Sequence, residues 1–204
     1  MPRIQCEALA VPGKKPDSPL QAPVQSPSRR ALLRGAAGLG LGLSGAAGLL
    51  APLACADELV VGHAAPPLVL HTLGGRTLAT RDLLGQVLIL TFWATWCGPC
   101  REELPLLSAY AQRHAAQGLR VLGFCLDAPA DLARVRAVAA TLSFPVGLLG
   151  SAYAGAYGRI WRIPVSFVID RAGKLADNGW DDPAPVWTQS RLERVVTPLL
   201  SGAA

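Results

Sequence analysis

The chain has 204 residues, of which 51% are hydrophobic, and a formal net charge of +5 at neutral pH. Residues 1–56 hold six basic and two acidic side chains, whereas the remainder holds 13 basic and 12 acidic ones. A nearly neutral remainder excludes nucleic-acid binding and a basic membrane-binding patch, and the length allows one domain with a hydrophobic core.

The front of the chain has the pattern of an export signal. Residues 1–28 contain six prolines and no helical or strand periodicity, which indicates disorder. Arg29 and Arg30 then match the paired arginines of a twin-arginine signal, and residues 35–56 are uncharged and contain six glycines. We therefore predict export from the cytoplasm to the periplasm or an equivalent compartment.

The end of the uncharged run decides whether this signal is removed. Ala54-Cys55-Ala56 matches the A-x-A cleavage pattern and predicts a mature domain that spans residues 57–204. A membrane anchor that is not cleaved stays open as an alternative, because the 22 uncharged residues 35–56 are enough to cross a bilayer. A lipid-modified Cys55 is disfavoured, since Pro52-Leu53-Ala54 before it departs from the usual lipoprotein pattern.

The mature domain shows alternating strand and helix patterns. Short apolar runs predict strands, apolar residues at helical spacing predict helices, and glycines mark the turns between them. In chain order, the predicted elements are a hairpin at 68–70 and 77–79, a helical turn at 80–85, a strand at 87–93, a helix at 99–117, a strand at 119–126, a helix at 130–142, a short helix at 154–158, a second hairpin at 165–170 and 174–176, and a helix at 189–200. This order predicts an α/β fold with a mixed central sheet flanked by helices and an added N-terminal β-hairpin.

Two cysteines, Cys97 and Cys100, stand where the strand at 87–93 turns into a helix. The exposed start of a helix has free N–H groups and a positive dipole end, and both stabilise a thiolate. We therefore predict that Cys97 is a redox nucleophile and Cys100 its resolving partner, with Pro99 in the first helical turn. A zinc site is the alternative, but no second C-x-x-C or C-x-x-H pair completes it.

Other residues with reactive side chains have structural interpretations. Cys125 lies in an apolar strand, so we predict a buried small side chain, with a third redox thiol as the alternative. Asp127 follows that strand and is predicted to be a turn or capping residue. No metal site is predicted, because the three histidines share no typical ligand spacing: His63, His71 and His114. No cofactor is predicted either.

Four stretches together carry a family resemblance. Residues 92–100, Phe-Trp-Ala-Thr-Trp-Cys-Gly-Pro-Cys, resemble the active site of thioredoxins. Three further segments resemble exported thiol-disulfide oxidoreductases of the TlpA/ResA type: Arg101–Pro105, Ile163–Asp170 and Trp180–Ala184. The resemblance covers residues from about 66 to 200. It implies a thioredoxin fold and a protein-disulfide oxidoreductase activity at the cysteine pair.

The resemblance also implies a proton acceptor on the helix. Glu103 occupies the position where ResA-like proteins place a carboxylate beside the active-site cleft, where it could take the proton of Cys100. The alternative is an exposed glutamate favoured by the helix dipole, as we expect for Glu102. Thr91 departs from thioredoxins, which carry a buried aspartate there. Threonine cannot ionise, which gives Glu103 more weight.

The resemblance implies a substrate-docking side as well. Ile163-Pro164 matches the cis-proline that packs opposite the cysteines and leaves the preceding backbone free to pair with a substrate strand. Trp96, next to Cys97, is a candidate for the docking surface. Three other tryptophans are predicted to be core or packing residues: Trp93, Trp180 and Trp187.

The residues between the cysteines indicate the direction of electron flow. A histidine there would stabilise the thiolate and make the disulfide oxidising, but Gly98 offers no such charge. We expect a potential nearer to thioredoxin's roughly −270 mV than to DsbA's roughly −120 mV. Such a pair in an oxidising compartment suits a reductase.

The predicted function is an extracytoplasmic reductase of specific protein disulfides. The resemblance implies a membrane thiol donor of the CcdA/DsbD type, and it implies substrates that are apocytochrome c or a copper-assembly factor. Two other classes stay open: a thiol peroxidase, and a metallochaperone that binds Cu(I) through the same two cysteines.

Overall fold

The computed structural model describes residues 59–202 of the chain. The predicted disordered segment, the twin-arginine signal and its cleavage site (residues 1–56) lie outside the described residues and stay predictions. Within residues 59–202, no helix is both long enough and apolar enough to cross a bilayer.

Seven strands and four α-helices make up the described part of the chain. In chain order they are β1 (Val69–His71), β2 (Thr77–Ala79), β3 (Val87–Trp93), α1 (Gly98–His114), β4 (Leu119–Cys125), α2 (Leu132–Ala139), β5 (Val146–Leu148), β6 (Val165–Ile169), β7 (Leu175–Asn178), α3 (Gln189–Val195) and α4 (Thr197–Ser201). Single 3₁₀ turns lie at Thr80–Leu83, Ala115–Gln117, Pro129–Asp131 and Gly155–Tyr157.

Five of the strands form a mixed sheet in the order β5-β4-β3-β6-β7. The three strands β5, β4 and β3 run parallel, whereas β6 and β7 are antiparallel to their neighbours. Strand β3 is central because all seven of its residues are buried, as a continuous apolar run requires. Strands β1 and β2 pair separately as an antiparallel hairpin. The predicted α/β fold, with a mixed sheet and an added N-terminal hairpin, is confirmed.

Alternation along β3 divides the core into two layers. Ile89 and Trp93 pack on one face with buried side chains of α1 and α3, and Phe92 packs on the other face with Phe124 and Phe167. A fully buried aliphatic or aromatic side chain contributes about 1.5–3 kcal/mol to stability. The sheet is therefore the rigid support on which the loop after β3 is mounted.

Strand β5 is the element that the sequence prediction missed. It has three residues, too few for a period, and glycine at its centre is unfavourable in strands. The structure explains this glycine, because a Cβ at Gly147 would collide with the backbone carbonyl oxygen of His71. The close approach of the hairpin to β5 therefore requires glycine at this position.

Two predicted helices are shorter than expected. The helix predicted at 130–142 begins as a 3₁₀ turn at Pro129–Asp131 and continues as α2 only to Ala139. The helix predicted at 189–200 is divided into α3 and α4, with Val196 between them. Pro198 explains the division, since it has no N–H to continue the α3 ladder and instead occupies the first turn of α4.

Candidate redox active site

The cysteine pair lies in the connection between β3 and α1. Cys97 is the N-cap residue of α1, and Cys97 and Cys100 form a disulfide bond with an Sγ–Sγ distance of 2.01 Å. Cys97 is 6% exposed, whereas Cys100 is fully buried. Cys97 is thus less exposed than the sequence predicts, but it is the one cysteine of the pair that retains contact with solvent.

The helix N-terminus creates the electrostatic environment of Cys97. The backbone N–H of Cys100 points at the Sγ of Cys97 over 3.2 Å, and Pro99 occupies the first turn. No acidic residue lies in that turn. An N–H donor and the positive end of a helix dipole favour a thiolate over a thiol, so Cys97 has the setting of a nucleophile once the disulfide is reduced.

Glu103 lies one helical turn after Cys100 and is only 2% exposed. Its Oε2 accepts a hydrogen bond of 2.7 Å from the backbone N–H of Trp187, and its Oε1 has no hydrogen-bond partner within residues 59–202. Burial raises the pKa of Glu103 to about 7, although the Trp187 N–H and the charge of Arg191 both act to lower it. The alternative of an exposed glutamate is therefore wrong for Glu103, and Glu102 is the exposed one.

Strand β3 has only a hydroxyl at the position where thioredoxins have a carboxylate. Thr91 is fully buried and lies opposite Ser166 of β6 in the sheet register. The Oγ1 of Thr91 has no hydrogen-bond partner among the described residues. Ser166 Oγ accepts a hydrogen bond of 3.0 Å from the indole N–H of Trp187. Glu103 is consequently the buried carboxylic acid nearest in sequence to the cysteines.

Trp187 has a role that the sequence prediction missed. Its burial confirms a packing residue, but its two N–H groups also connect Glu103 on α1 with Ser166 on β6. Trp187 is separated from Glu103 by 84 positions along the chain. Nothing in the spacing of the motif Trp180–Ala184 points to this connection.

The Ile163–Pro164 peptide bond is cis, as the resemblance implies. Pro164 directly precedes β6, whose first residue, Val165, pairs with Phe92 near the end of β3. Because β6 is antiparallel to β3, the start of β6 and the end of β3 meet at one edge of the sheet. The structure therefore brings Pro164 to the same edge as the loop that contains Cys97.

Exposed tryptophans lie beside both of these segments. Trp96, next to Cys97, is 65% exposed, and Trp161, two residues before Ile163, is 69% exposed. The ring of Trp161 stacks on that of Trp180 at 5.6 Å and 12°, and the Arg162 guanidinium lies 5.2 Å from the first ring and 5.7 Å from the second. The stack makes Trp161 a rigid, exposed aromatic surface that lies close in sequence to the cis-proline.

Asp127 and Cys125 form a hydrogen-bonded group that stabilises the loop between β3 and α1. The fully buried Cys125 thiol donates to Asp127 Oδ2 over 3.1 Å, and burial raises the pKa of Cys125 to about 12. The same carboxylate accepts the backbone N–H of Thr95 at 2.8 Å and the Thr95 hydroxyl. Although burial opposes it, these hydrogen bonds lower the pKa of Asp127. Asp127 therefore holds the loop two residues before Cys97, beyond the turn role predicted for it.

The described residues contain no arrangement typical of a metal site. Across residues 59–202, no three His, Cys, Asp or Glu side chains converge closely enough to hold an ion. The reactive groups described at the site are the Cys97–Cys100 pair and the buried carboxyl group of Glu103.

Comparisons with known proteins agree with this arrangement. Residues 61–178 match the model of the AhpC/TSA family. The chain is 32% identical over 123 residues to the thiol-disulfide oxidoreductase ResA of Bacillus thuringiensis (strain Al Hakam), which is 59% of this chain and 70% of that protein. It is also 32% identical over 118 residues to the thioredoxin-like protein YneN of Bacillus subtilis (strain 168), covering 57% of this chain and 67% of that one.

A solved structure extends the likeness to the fold. The crystal structure of a thiol:disulfide interchange protein of the thioredoxin family from Chlorobium tepidum TLS matches with a TM-score of 0.58 at 26% identity. The match covers 68% of this chain and 96% of that one. The stretch that matches the family model, residues 61–178, includes the cysteine pair, Glu103 and Pro164, but it ends before Trp187.

Proposed function

Because the chain belongs to the AhpC/TSA family and is a thiol-disulfide oxidoreductase of the ResA type, we propose that it acts as a reductase of specific protein disulfides outside the cytoplasm. The observation that carries the proposal is the Cys97–Cys100 disulfide at the N-terminus of α1, with the buried carboxyl group of Glu103 one turn further along.

The first step of the proposed reaction takes place at Cys97. In the reduced protein, the Cys97 thiolate attacks one sulfur of the substrate disulfide. A bond forms between Cys97 Sγ and that sulfur, the substrate disulfide breaks, and the leaving thiolate takes a proton from solvent. The helix N-terminus favours this step because it stabilises the attacking thiolate.

The second step releases the substrate. The Glu103 carboxylate accepts the proton of the Cys100 thiol, and the Cys100 thiolate attacks Cys97 Sγ. The disulfide between Cys97 and Cys100 forms, the mixed disulfide breaks, and the second substrate sulfur leaves as a thiolate that is then protonated. The substrate gains two electrons and two protons. A carboxyl group with a pKa of about 7 suits this transfer, since it both accepts and returns a proton near neutral pH.

The residues between the cysteines support the reducing direction. Gly98 and Pro99 carry no charge that would selectively stabilise the reduced form, so the disulfide is expected to be a poor oxidant. A poor oxidant in an oxidising compartment must be kept reduced by a donor. We propose a membrane thiol donor of the CcdA/DsbD type, and export through the predicted twin-arginine signal.

The proposed substrates are proteins with a cysteine pair that must be reduced before it binds its ligand. The candidates are apocytochrome c and a copper-assembly factor. A disulfide in an accessible segment of such a protein would suit the docking side that we propose at Trp96, Ile163 and Pro164.

Trapping of the mixed disulfide tests the proposal directly. A Cys100→Ala variant, expressed in its own host, is expected to hold its substrate on Cys97, because the resolving thiol is missing. The matched control is the double variant with Cys97→Ala, which should capture nothing. Identification of an apocytochrome c or a copper-assembly factor would name the substrate.

Three results would contradict the proposal. Absence of any captured protein on Cys97 would remove the exchange mechanism. Rapid peroxide turnover by the purified protein would favour a thiol peroxidase. Retention of Cu(I) by the two cysteines, with no reduction of insulin disulfides, would favour a metallochaperone.

A further inference from the structure

Helix α3 contributes a buried arginine, Arg191, that has no role in the two steps of the proposed reaction. Arg191 is only 3% exposed, whereas arginines are almost never fully buried unless they are paired. In the sequence, Arg191 lies far from the cysteine motif and beyond residues 61–178, which match the family model. Its contacts show what the buried charge holds in place.

The guanidinium group of Arg191 connects three segments of the chain. Nη2 donates to Asp177 Oδ2 of β7 at 2.8 Å, Nη1 donates to the carbonyl oxygen of Pro185 at 2.6 Å, and Nε lies 3.1 Å from Asp182 Oδ2. A planar guanidinium can make such contacts in several directions at once, which a lysine cannot. Arg191 therefore connects residues 182–185 to β7, an outer strand of the sheet.

The same group packs directly on the residue that binds Glu103. The Cζ atom of Arg191 lies 4.1 Å from the centre of the Trp187 ring, a cation–π contact within a buried setting. Trp187 in turn donates its backbone N–H to Glu103 and its indole N–H to Ser166. Trp187 is thus held on one side by Arg191 and on the other by Ser166 of the sheet, and these contacts position its backbone N–H toward Glu103.

The charge of Arg191 also acts on the carboxyl group itself. Burial raises the pKa of Glu103, and the positive charge of Arg191 opposes this effect. Arg191 is the charged side chain that acts on Glu103, and it is itself paired with Asp177 and Asp182. The charges of the two aspartates are partly compensated by their contacts with Arg191.

We propose that Arg191 is a positioning residue for thiol–disulfide exchange, which holds the Trp187 N–H against the Glu103 carboxyl group and so keeps that group able to accept the proton of Cys100. This inference rests on the proposed function. Arg191 acts through Trp187 and through its charge, and it does not touch the reacting sulfur atoms.

Infrared spectroscopy of the oxidised protein tests the inference without cysteine titration. The C=O stretch of a protonated carboxylic acid reports the ionisation of Glu103, and Glu103→Gln identifies the band by removing it. Arg191→Met is expected to move the midpoint of this band upward by about 1 pH unit or more. Arg191→Lys keeps the charge but loses the planar fork, so a smaller upward shift is expected. Arg194→Met, an exposed site on the same helix, is the control and should leave the midpoint unchanged.

The outcomes separate the inference from the proposed function. A wild-type midpoint in Arg191→Met overturns the positioning role. If that variant does not fold by near-ultraviolet circular dichroism, Arg191→Lys decides the question, and a wild-type midpoint in it overturns the role. The proposed function is tested separately by the rate of exchange between the reduced protein and a small disulfide. If Glu103→Gln leaves the pH profile of that rate unchanged, the proton transfer by Glu103 fails, whatever the infrared result for Arg191.

Discussion

The buried Glu103 should make the stability of the oxidised protein depend on pH in a specific way. Glu103→Gln removes the titration but keeps an amide oxygen that can accept the Trp187 N–H, so the local structure has a close substitute. The two proteins then differ mainly in whether this one side chain ionises.

The magnitude follows from the shift in pKa on folding. The value is 4.5 for an ordinary glutamate and about 7 for Glu103 in the folded protein. Between these values the unfolded chain has lost the proton while the folded protein keeps it, so the free energy of unfolding falls as the pH rises. One pKa unit corresponds to about 1.4 kcal/mol, which predicts a loss of roughly 3 kcal/mol across this window for a group that is almost fully buried.

Urea denaturation of the oxidised wild type and of Glu103→Gln measures this loss. Curves at several pH values from 4.5 to 8 give the free energy of unfolding of each protein. The difference between them should change by about 1.4 kcal/mol per pH unit inside the window from 4.5 to 7 and stay constant above it. Subtraction removes the contribution of other groups. A difference that is independent of pH would refute the argument that Glu103 is buried with a raised pKa.

Three further predictions test the surroundings of the cysteines. The potential of the Cys97–Cys100 pair should lie well below about −150 mV, and Gly98→His should raise it by about 30 mV or more; a wild-type value above that limit would contradict the reducing direction. Asp127→Ala should lower the free energy of unfolding by about 2–4 kcal/mol in urea, because the Thr95 N–H and the Cys125 thiol lose their acceptor; the nearby Asp131→Ala is the control, and an equal effect would exclude the role. Trp161→Ala should raise KM for a protein disulfide about 10-fold, while kcat and the rate with a small disulfide stay unchanged. The control is Leu84→Ala, another exposed site, which should leave all three quantities unchanged. A wild-type KM in Trp161→Ala would rule out docking on Trp161.

Local patterns determined much of the fold. Strand β3 is a continuous apolar run, so its bounds from Val87 to Trp93 agree with the prediction. Gly118, with a φ of +84°, ends the turn after α1 at the predicted position, because glycine adopts this conformation without a steric penalty. The three-residue β5 was missed because its pairing with β4 and its contact with the hairpin come from residues distant in sequence.

For the candidate site, too, some features could be predicted from the local sequence and others could not. The spacing of Cys97 and Cys100 at a strand-to-helix turn identified the reactive pair, since that geometry depends on neighbouring residues alone. Whether Glu103 is buried or exposed depended on what covers α1, and only the tertiary structure decided it. The cover is Trp187, held in turn by Arg191, and these residues follow Glu103 by more than 80 positions in the chain. The sequence by itself therefore determined where electrons are exchanged, whereas the folding of the C-terminal segment onto α1 decided how the proton acceptor is buried and held, because burial arises from contacts between distant parts of the chain.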